Sequence, residues 1–558
     1  MKIYIRTAFL TILSILTVAA ADAQTIYDAL RISERNYEGT ARTMAMGNAF
    51  TALGSDLGSI GINPAGSAVA GYSQISLTPS LTITSDATGI SSDATRKYIN
   101  TTSRAGLPQM GFTFNWDTGR TYGLKNFTFG FIVNQTNSWN EDLYVTGENK
   151  STSFMGSLAA GTTDLMAQLN KELKPGETPY SYLDLAGENA YYNGLPWKEI
   201  IGWQSGMIST FGGHDDEFVG ASEVLIDHDG ITEIALGGPL DQTYGRRARG
   251  SRADYIFNFG VNISDFIYIG ANLGISSMSY SYNEYYKEKA IDPGDFEINL
   301  DDGGKMYFDN MKYTYSLDCE TTGLYGKLGI IITPGYGLRI GATIQTPTAS
   351  TVRENWEMSG ETIFTEQKYN ASALSPYGED TYSLTEPWRA NFGLAYTLGK
   401  FAAISADYEF CDYSRIRFKN QGGIRSTFRT SHMLRAGIEV KPVDILAIRA
   451  GYNLTTSPDK EFHSPQLDTD NASKGMGWIA GRSTAATQSV SFGLGYISRK
   501  SFFADIACRY AFTQEEYFMP YDNYIFDGSG NVDKNATAPV ITNKADAWKI
   551  LLTLGWRF

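Results

Sequence analysis

Few side chains in this sequence are arranged for nucleophilic chemistry. The chain has four histidines, His214, His228, His432 and His463, and a serine hydrolase needs a serine, a histidine and an orienting polar group close together. The one serine that precedes a histidine inside a predicted strand is Ser431, next to His432, and adjacent residues of a strand point to opposite faces. The sequence therefore predicts no enzyme.

Metal and cofactor chemistry is no better supported. Acidic clusters occur in three predicted loops, 214–217, 227–229 and 527–533, but none has the spacing of a calcium-binding loop. The three cysteines are far apart and odd in number, which fits neither a disulfide framework nor a zinc site. Phosphate-binding and dinucleotide-binding patterns are absent. Solvated turns explain the acidic clusters better, so we expect no metal and no cofactor.

Charged residues recur instead inside segments that alternate with apolar residues. In the segment 443–454, Leu446 and Ile448 take one face of a strand and Arg449 takes the other. The charged residues placed in this way are Asp407, Glu409, Arg435, Glu439, Arg449, Asp505 and Arg509. Because such charges need water or counter-ions on their side, we predict that they line an aqueous lumen. There they either form a ladder that gives selectivity or anchors another segment, or they are simply solvated.

The alternation is typical of strands that cross a membrane, with an apolar lipid side and about ten residues per crossing. Aromatic residues cluster towards the ends of the apolar faces, as an interfacial girdle requires. We count fourteen candidate strands: 73–85, 109–117, 125–137, 253–263, 265–282, 310–332, 336–346, 387–397, 400–412, 430–440, 443–454, 488–498, 501–513 and 547–558. The predicted fold is all-β, a transmembrane antiparallel barrel of about 14 strands, since an even number is expected of a closed bacterial barrel.

The N-terminus predicts export. Residues 1–23 have the charged start, the apolar run and the A-x-A site of a signal peptide, and no cysteine follows to carry a lipid anchor. The net charge of −14 argues against a nucleic-acid partner, whose phosphates need a basic face. The predicted location is the outer membrane of a Gram-negative bacterium, with outer-membrane lipid as a partner.

The last strand ends on alternating aromatics that include Trp556 and on Phe558 itself. This ending resembles the C-terminal signal that the barrel-assembly machinery reads during biogenesis. The alternative is an ordinary final strand that ends in phenylalanine.

The remaining segments predict a plug and a cap. Residues 24–72 alternate poorly and are too small for a domain, while a barrel of this size has a lumen that its own side chains cannot fill. We predict that they form an N-terminal hatch, with a periplasmic arm as the alternative. The barrel, 73–558, has long predicted connections at 86–108, 347–386 and about 138–252. The last is partly helical and is predicted to cap the outer mouth.

Four sequence elements resemble those of the FadL-type family of outer-membrane transporters for long-chain fatty acids and other hydrophobic compounds. They are the hatch motif Asn63, Pro64, Ala65 and Gly66; Pro387-Trp388-Arg389 with Gly393 and Tyr396; Arg449-Ala450-Gly451-Tyr452-Asn453 with Pro458; and the aromatic C-terminus. The pattern is also similar to Bacteroidetes members of this superfamily.

The resemblance implies a monomeric barrel that passes a hydrophobic small-molecule ligand without energy coupling. It also implies sideways release into the membrane through an opening made by a kink in the third strand, for which Gly130 is the best match. Two alternatives stay open. The barrel is either only an anchor for a secretion-associated shuttle or surface-binding protein, or an open porin for polar solutes.

Overall fold

The computed structural model describes residues 28–170, 179–184, 187–192, 195–210, 215–228, 231–300, 303–418, 428–458, 486–498, 501–513, 516–526, 533 and 535–558. The predicted signal peptide lies outside these residues, as do His214, His463 and nearly all of the acidic loop 527–533.

Strands dominate the described residues. They are β1 (Gln74–Ile90), β2 (Asp93–Asp117), β3 (Leu124–Asn149), β4 (Ile208–Thr210), β5 (Phe218–Gly220), β6 (Glu223–His228), β7 (Ile231–Leu236), β8 (Leu240–Ile263), β9 (Ile267–Ala290), β10 (Glu297–Asn299), β11 (Lys305–Gly335), β12 (Leu338–Gln345), β13 (Thr348–Phe364), β14 (Ala371–Leu374), β15 (Gly378–Glu386), β16 (Arg389–Leu398), β17 (Ala402–Asp412), β18 (Arg417–Phe418), β19 (Thr430–Val443), β20 (Leu446–Thr455), β21 (Thr487–Ile497), β22 (Phe502–Thr513), β23 (Glu516–Phe518) and β24 (Ile541–Arg557).

Helices are few and short. They are α1 (Ala41–Ala45), α2 (Phe154–Asn170) and α3 (Trp197–Gln204), and the described residues 28–33 are also helical. Single 3-10 turns cover Gly58–Gly61, Pro64–Ser67, Pro179–Tyr182, Gly187–Tyr192, Pro293–Asp295, Gln367–Tyr369 and Tyr413–Arg415. In the part of the chain that the structure describes, no helix has both the length and the apolar character needed to cross a bilayer.

The wall is a closed antiparallel barrel of fourteen strands, as predicted. Two wall strands are each interrupted once, so that β12 continues into β13 and β15 continues into β16. In order around the wall the strands are β1, β2, β3, β8, β9, β11, β12 with β13, β15 with β16, β17, β19, β20, β21, β22 and β24. The ring closes because β24 pairs with β1 from Arg557 opposite Gln74 to Ile541 opposite Ile90.

The outer face carries an apolar belt near the periplasmic turns. Phe257 and Phe259 of β8 are 42% and 51% exposed, and Ile269 and Leu273 of β9 are 43% and 52% exposed. A continuous exposed apolar surface of this kind is stable only against lipid. The belt therefore marks the segment of the wall that spans the outer membrane.

The wall rises much further from the membrane than the sequence predicted. The predicted loops 86–108 and 347–386 are mostly strand, and the insertion occupies only 150–239, since β3 runs to Asn149 and β8 begins at Leu240. Above the belt the outer face is polar, as at Ser277 and Ser279 of β9, which are exposed. Without an apolar face these stretches lack the alternation that identifies a lipid-facing strand, so the prediction stopped near the outer edge of the belt.

Candidate functional site

The lower lumen is filled by residues 28–72, which we call the lumenal segment. Its 3-10 turn Pro64–Ser67 begins after Asn63, whose side-chain oxygen accepts from the Ala65 amide at 3.0 Å. The Asn63 amide group donates to the carbonyl oxygen of Thr51 at 2.6 Å and to that of Ile330 in β11 at 3.2 Å. Asn63 therefore both caps a turn and ties the segment to the wall, and the sequence motif lies at this contact.

Strand glycines make room for the lumenal segment. A Cβ atom at Gly270 of β9 would lie 2.3 Å from the Pro64 carbonyl carbon, and one at Gly451 of β20 would lie 2.1 Å from the Gly47 nitrogen. The same close approach to the segment occurs at further glycines of the wall, which together we call the glycine ring: Gly260, Gly270, Gly329, Gly341, Gly393, Gly437, Gly451 and Gly493. At Gly270, Gly341, Gly437 and Gly451 the nearest atoms of the segment are main-chain atoms, and at the other glycines of the ring they include side-chain atoms, so a Cβ atom would collide with the segment or with the side chains around it.

Two of the seven charged residues predicted to line the lumen, Asp407 and Glu439, hold the lumenal segment. Asp407 accepts from the Thr51 amide at 2.8 Å and from its hydroxyl at 2.7 Å. Glu439 accepts from Arg42 at 3.0 and 3.1 Å. Of the roles that the sequence leaves open for these charges, Asp407 and Glu439 therefore have the geometry of anchors for another segment.

The other predicted lumen charges pair with one another across the strands. Arg449 donates to Glu439 at 2.6 Å and to Asp505 at 2.5 Å. Arg435 lies 3.5 Å from Glu409 and 3.7 Å from Asp407. These side chains, all almost fully buried, neutralise each other rather than face open water.

Arg509 differs from the other predicted lumen charges. It lines a small void of about 10 Å³ beside Asn36, Tyr37 and Asn48 of the lumenal segment. Arg509 therefore faces the lumen, as predicted, but at a small gap in the packing rather than inside an ion pair.

A second layer of ion pairs lies higher in the lumen, and the sequence did not predict it. Arg35 of the lumenal segment donates to Asp254 of β8 at 2.6 Å, and Arg252 donates to Glu386 at 2.8 and 2.9 Å. Tyr325 adds a bond to Asp254 at 2.8 Å. We call this layer the ionic floor. The sequence carries a signal for it, because Arg252 and Asp254 alternate with the lipid-facing aromatic residues Tyr255 and Phe257.

Main-chain hydrogen bonding between the neighbouring strands β2 and β3 ends at the height of the ionic floor. The two strands pair from Asp117 opposite Asn126 up to Gln109 opposite Asn134, and Asn134 is itself opposite Asp254 of β8. Above this point β2 pairs with β1 and β3 pairs with β8, while no main-chain register joins the described residues 93–108 of β2 to 135–149 of β3. We call this stretch the β2–β3 seam.

The register of β3 with β8 shifts at Lys125 and at Thr136, and not at Gly130. Gly130 is in regular register with both of its neighbours, Thr113 and Asn258. The register with β8 shifts between Gln135 and Asn137, which leaves Thr136 as a bulge. A bulge depends on the pairing partner as well as on the strand, so the glycine alone was a misleading marker.

Side chains and the lumenal segment close the seam. The Asn36 amide donates to the Thr136 carbonyl at 2.7 Å, and the Glu38 amide donates to the Gln135 carbonyl at 3.1 Å. Higher up, the Asn140 side chain donates to the Thr102 hydroxyl at 2.8 Å. The seam is thus held by individual contacts, and the lumenal segment takes part in its lower end.

Above the ionic floor the lumen is lined by aromatic side chains, and we call this space the upper chamber. Its wall residues include Trp139, Tyr280, Tyr282, Tyr286, Tyr313 and Tyr315. The insertion enters it from above, with the ring of Phe154 of α2 lying 5.4 Å from that of Tyr286 and 5.3 Å from that of Tyr313. We call the insertion, residues 150–239, the cap.

The serine and histidine of β19 lie on opposite faces of the wall, with Ser431 buried on the face of Arg435 and His432 on the outer face. The His432 imidazole Nδ1 is 2.7 Å from the Tyr408 hydroxyl on the exposed face, while the Ser431 hydroxyl donates to the Thr456 carbonyl at 2.6 Å. Among the described residues, no group of three or more His, Cys, Asp or Glu side chains is placed to hold a metal ion. At the C-terminus, Trp556 and Phe558 are 50% and 67% exposed.

Comparison with known proteins finds similarity only among solved structures. No protein-family model matches the chain, and no curated protein matches it. A TodX deltaS2S3 mutant, a monoaromatic hydrocarbon channel, is 13% identical with a TM-score of 0.50, over 94% of this chain and 99% of that one. The toluene transporter TodX of P. putida is 12% identical (TM-score 0.49, 94% and 99% covered). A Pseudomonas aeruginosa FadL homologue is 11% identical (TM-score 0.46, 94% and 98% covered).

At these identities the likeness concerns the fold. The apolar belt, the fourteen-strand closure and this likeness together agree with the family that the sequence elements resemble. The chain is an outer-membrane β-barrel with the fold of the FadL-type channels.

Proposed function

We propose that this barrel passes hydrophobic small molecules, such as long-chain fatty acids or aromatic hydrocarbons, across the outer membrane without energy input. The lumenal segment acts as the hatch, and the molecules leave sideways through the β2–β3 seam. The observation that carries the proposal is that the seam begins at the height of the ionic floor.

The two halves of the lumen offer a hydrophobic molecule different environments. The upper chamber presents aromatic faces, which bind apolar surface well. Below it, the molecule would have to separate buried ion pairs such as Arg252 with Glu386, whose side chains are 1% and 2% exposed. Breaking a buried pair leaves an uncompensated charge and costs on the order of 3–5 kcal/mol. A hydrophobic molecule therefore meets its lowest barrier at the side wall.

The seam is the part of the side wall where the fewest main-chain bonds oppose such an exit. Opening it breaks side-chain contacts such as that of Asn140 with Thr102, whereas opening a paired stretch of wall breaks a ladder of main-chain bonds. The seam starts at the outer edge of the apolar belt, level with Ser276 and next to the exposed Ile275, where a departing molecule meets lipid. Entry requires movement of the cap, because Phe154 occupies the upper chamber.

A disulfide across the seam tests the route. Thr102→Cys with Asn140→Cys joins two side chains that already touch, in a background with the partly exposed Cys508 replaced by serine. We expect the oxidised protein to lose most uptake of labelled oleate and toluene in a Gram-negative host without its own channel for these compounds. A reductant should restore uptake.

A matched disulfide controls for the crosslink itself. Asn283→Cys with Ser316→Cys joins side chains 2.7 Å apart on β9 and β11, where the ladder is continuous. This variant should transport normally whether oxidised or reduced. Full uptake through a completely oxidised seam would refute lateral release. Absence of uptake in the unmodified protein would refute transport and favour the anchor alternative.

A further inference from the structure

A rigid aromatic surface lies on the outer face of the wall, well above the apolar belt. The ring of Tyr285 in β9 covers Gly245 of β8, where a Cβ atom would lie only 2.3 Å from the ring carbon Cζ. The ammonium groups of Lys287 and Lys312 lie 5.4 and 5.9 Å from the ring centroid. The glycine leaves room for the ring against the sheet, and both cations lie within 6 Å of its centroid.

The two lysines are arranged unfavourably for an isolated surface. Lys287 stands directly opposite Lys312 in the register of β9 and β11, and like charges placed opposite each other destabilise a strand pair. Glu361 of β13 is opposite Lys312 on its other side. In the described part of the chain, neither ammonium reaches salt-bridge distance of a carboxylate. An anion bound over Tyr285 would remove the repulsion.

Neighbouring residues extend this surface, which we call the outer patch: Tyr144, Arg247, Tyr285, Lys287 and Lys312. Tyr144 is opposite Gly245 on its far side and is 41% exposed. Arg247 is exposed and donates to Asp142 at 2.9 Å, and Glu361 opposite Lys312 is a second carboxylate beside the patch. The patch is thus basic on a protein whose net charge is −14.

The height of the patch limits what it can meet. Tyr285 follows Ile275, the last exposed apolar residue of β9 in the belt, by ten residues. At about 3.3 Å per residue and a tilt of about 40°, the patch lies roughly 25 Å above the belt. Acyl chains do not reach this level, but the sugar chains of outer-leaflet glycolipids do.

We infer that the outer patch binds the acidic sugar headgroup of a glycolipid anchored in the outer leaflet beside the barrel. Sugar rings stack their C–H faces on accessible aromatic rings such as the exposed Tyr144 and the partly exposed Tyr285, and their phosphate or carboxylate groups pair with lysine and arginine. A protein partner fits less well, because interface cores exclude charge, whereas this patch surrounds its aromatic rings with cations. The inference needs only the membrane location and is independent of what the lumen carries.

Binding of purified rough-type lipopolysaccharide to the detergent-solubilised full chain tests the inference. We expect binding that weakens with salt and is about tenfold weaker in the Lys287→Gln, Lys312→Gln double variant, as the loss of two exposed ion pairs gives. Tyr285→Phe should bind almost normally and Tyr285→Ala weakly, because the ring face makes the contact.

The double variant Lys305→Gln, Arg353→Gln is the matched control, since it removes two exposed cations elsewhere on the same side of the wall. It should bind like the unmodified protein, and heat-modified electrophoretic mobility should confirm that every variant is folded. Equal affinity of the two double variants would overturn the inference. Equal affinity for the dephosphorylated glycolipid, or for the delipidated sugar chain alone, would overturn the assignment to an acidic, membrane-anchored ligand.

Discussion

Single glycines set how closely the lumenal segment fits the wall. Gly451→Ala places a methyl group 2.1 Å from the Gly47 nitrogen, so either the segment or β20 must shift. We expect the free energy of unfolding to fall by about 1–3 kcal/mol, the usual effect of overpacking, together with raised ion conductance in planar bilayers. Gly326→Ala, whose added carbon would lie 3.8 Å from its nearest neighbour, is the control. Equal conductance of the two variants would show that the segment does not seal the lumen.

The sequence located the charged residues of the lumen but not the bonds they form. Asp407 and Glu439 were identifiable because they interrupt an apolar alternation, yet their partners Thr51 and Arg42 lie more than 350 positions away. Arg252 and its partner Glu386 show the same limit. Pairing at such separations depends on how the lumenal segment threads the barrel, which no local pattern encodes.

At the scale of the elements, the cap is attached to the wall through hydrogen bonds to a buried carboxyl group. Glu288, near the upper end of β9 and far above the apolar belt, accepts from the amide of Phe154 and from the side chain of Gln242, each at 2.7 Å. Burial raises its pKa from 4.5 to about 8. Glu223 of the cap is buried in the same way, with its pKa raised to about 7.

These carboxyl groups make attachment of the cap depend on pH. Between about pH 4.5 and pH 8 the folded cap keeps the proton of Glu288 while the unfolded chain has released it. The free energy of cap unfolding therefore falls as pH rises through this window, by an amount on the order of a few kcal/mol, and then levels off. We expect amide exchange at Phe154, corrected for intrinsic rates, to increase accordingly.

Glu288→Gln keeps an acceptor for both bonds and removes the proton equilibrium. Between pH 7 and pH 8 the change in exchange should be much smaller in the variant than in the unmodified protein, because only the second half of the titration of Glu223 remains. An equal change in the two proteins would mean that another group controls the cap.

The wall strands could be predicted only where they face lipid. All fourteen were placed correctly at their lower ends, since a strand with one face against the bilayer has an apolar residue at every second position. Their upper halves, such as 277–290 of β9, have one polar and one aromatic face. The seam could not be predicted either. The point where main-chain pairing between β2 and β3 ends depends on both strands together and is not encoded in the sequence of either one.

For the whole molecule, closure depends on the pairing of its last strand with its first. The main chains of Ser73 and Phe558 donate to each other at 3.0 Å, while the Phe558 side chain is 67% exposed. If that side chain is the assembly signal, Phe558→Ala should lower the amount of barrel assembled in cells severalfold. The refolded variant should unfold in urea like the unmodified protein, because the main-chain bonds remain. Normal assembly in cells would show that the terminal ring is not the signal.

The position of the lumenal segment also constrains the order in which the parts of the protein fold. It precedes β1 in the chain, yet it ends up surrounded by a ring that only the last strand completes. This segment, which is synthesised before the wall strands, must therefore be folded in place before the final strand arrives, or it must enter the closed ring afterwards. Once the ring is complete, the enclosed segment can leave only if the wall opens. We expect folding and unfolding of this protein to follow different routes and to show hysteresis in denaturant.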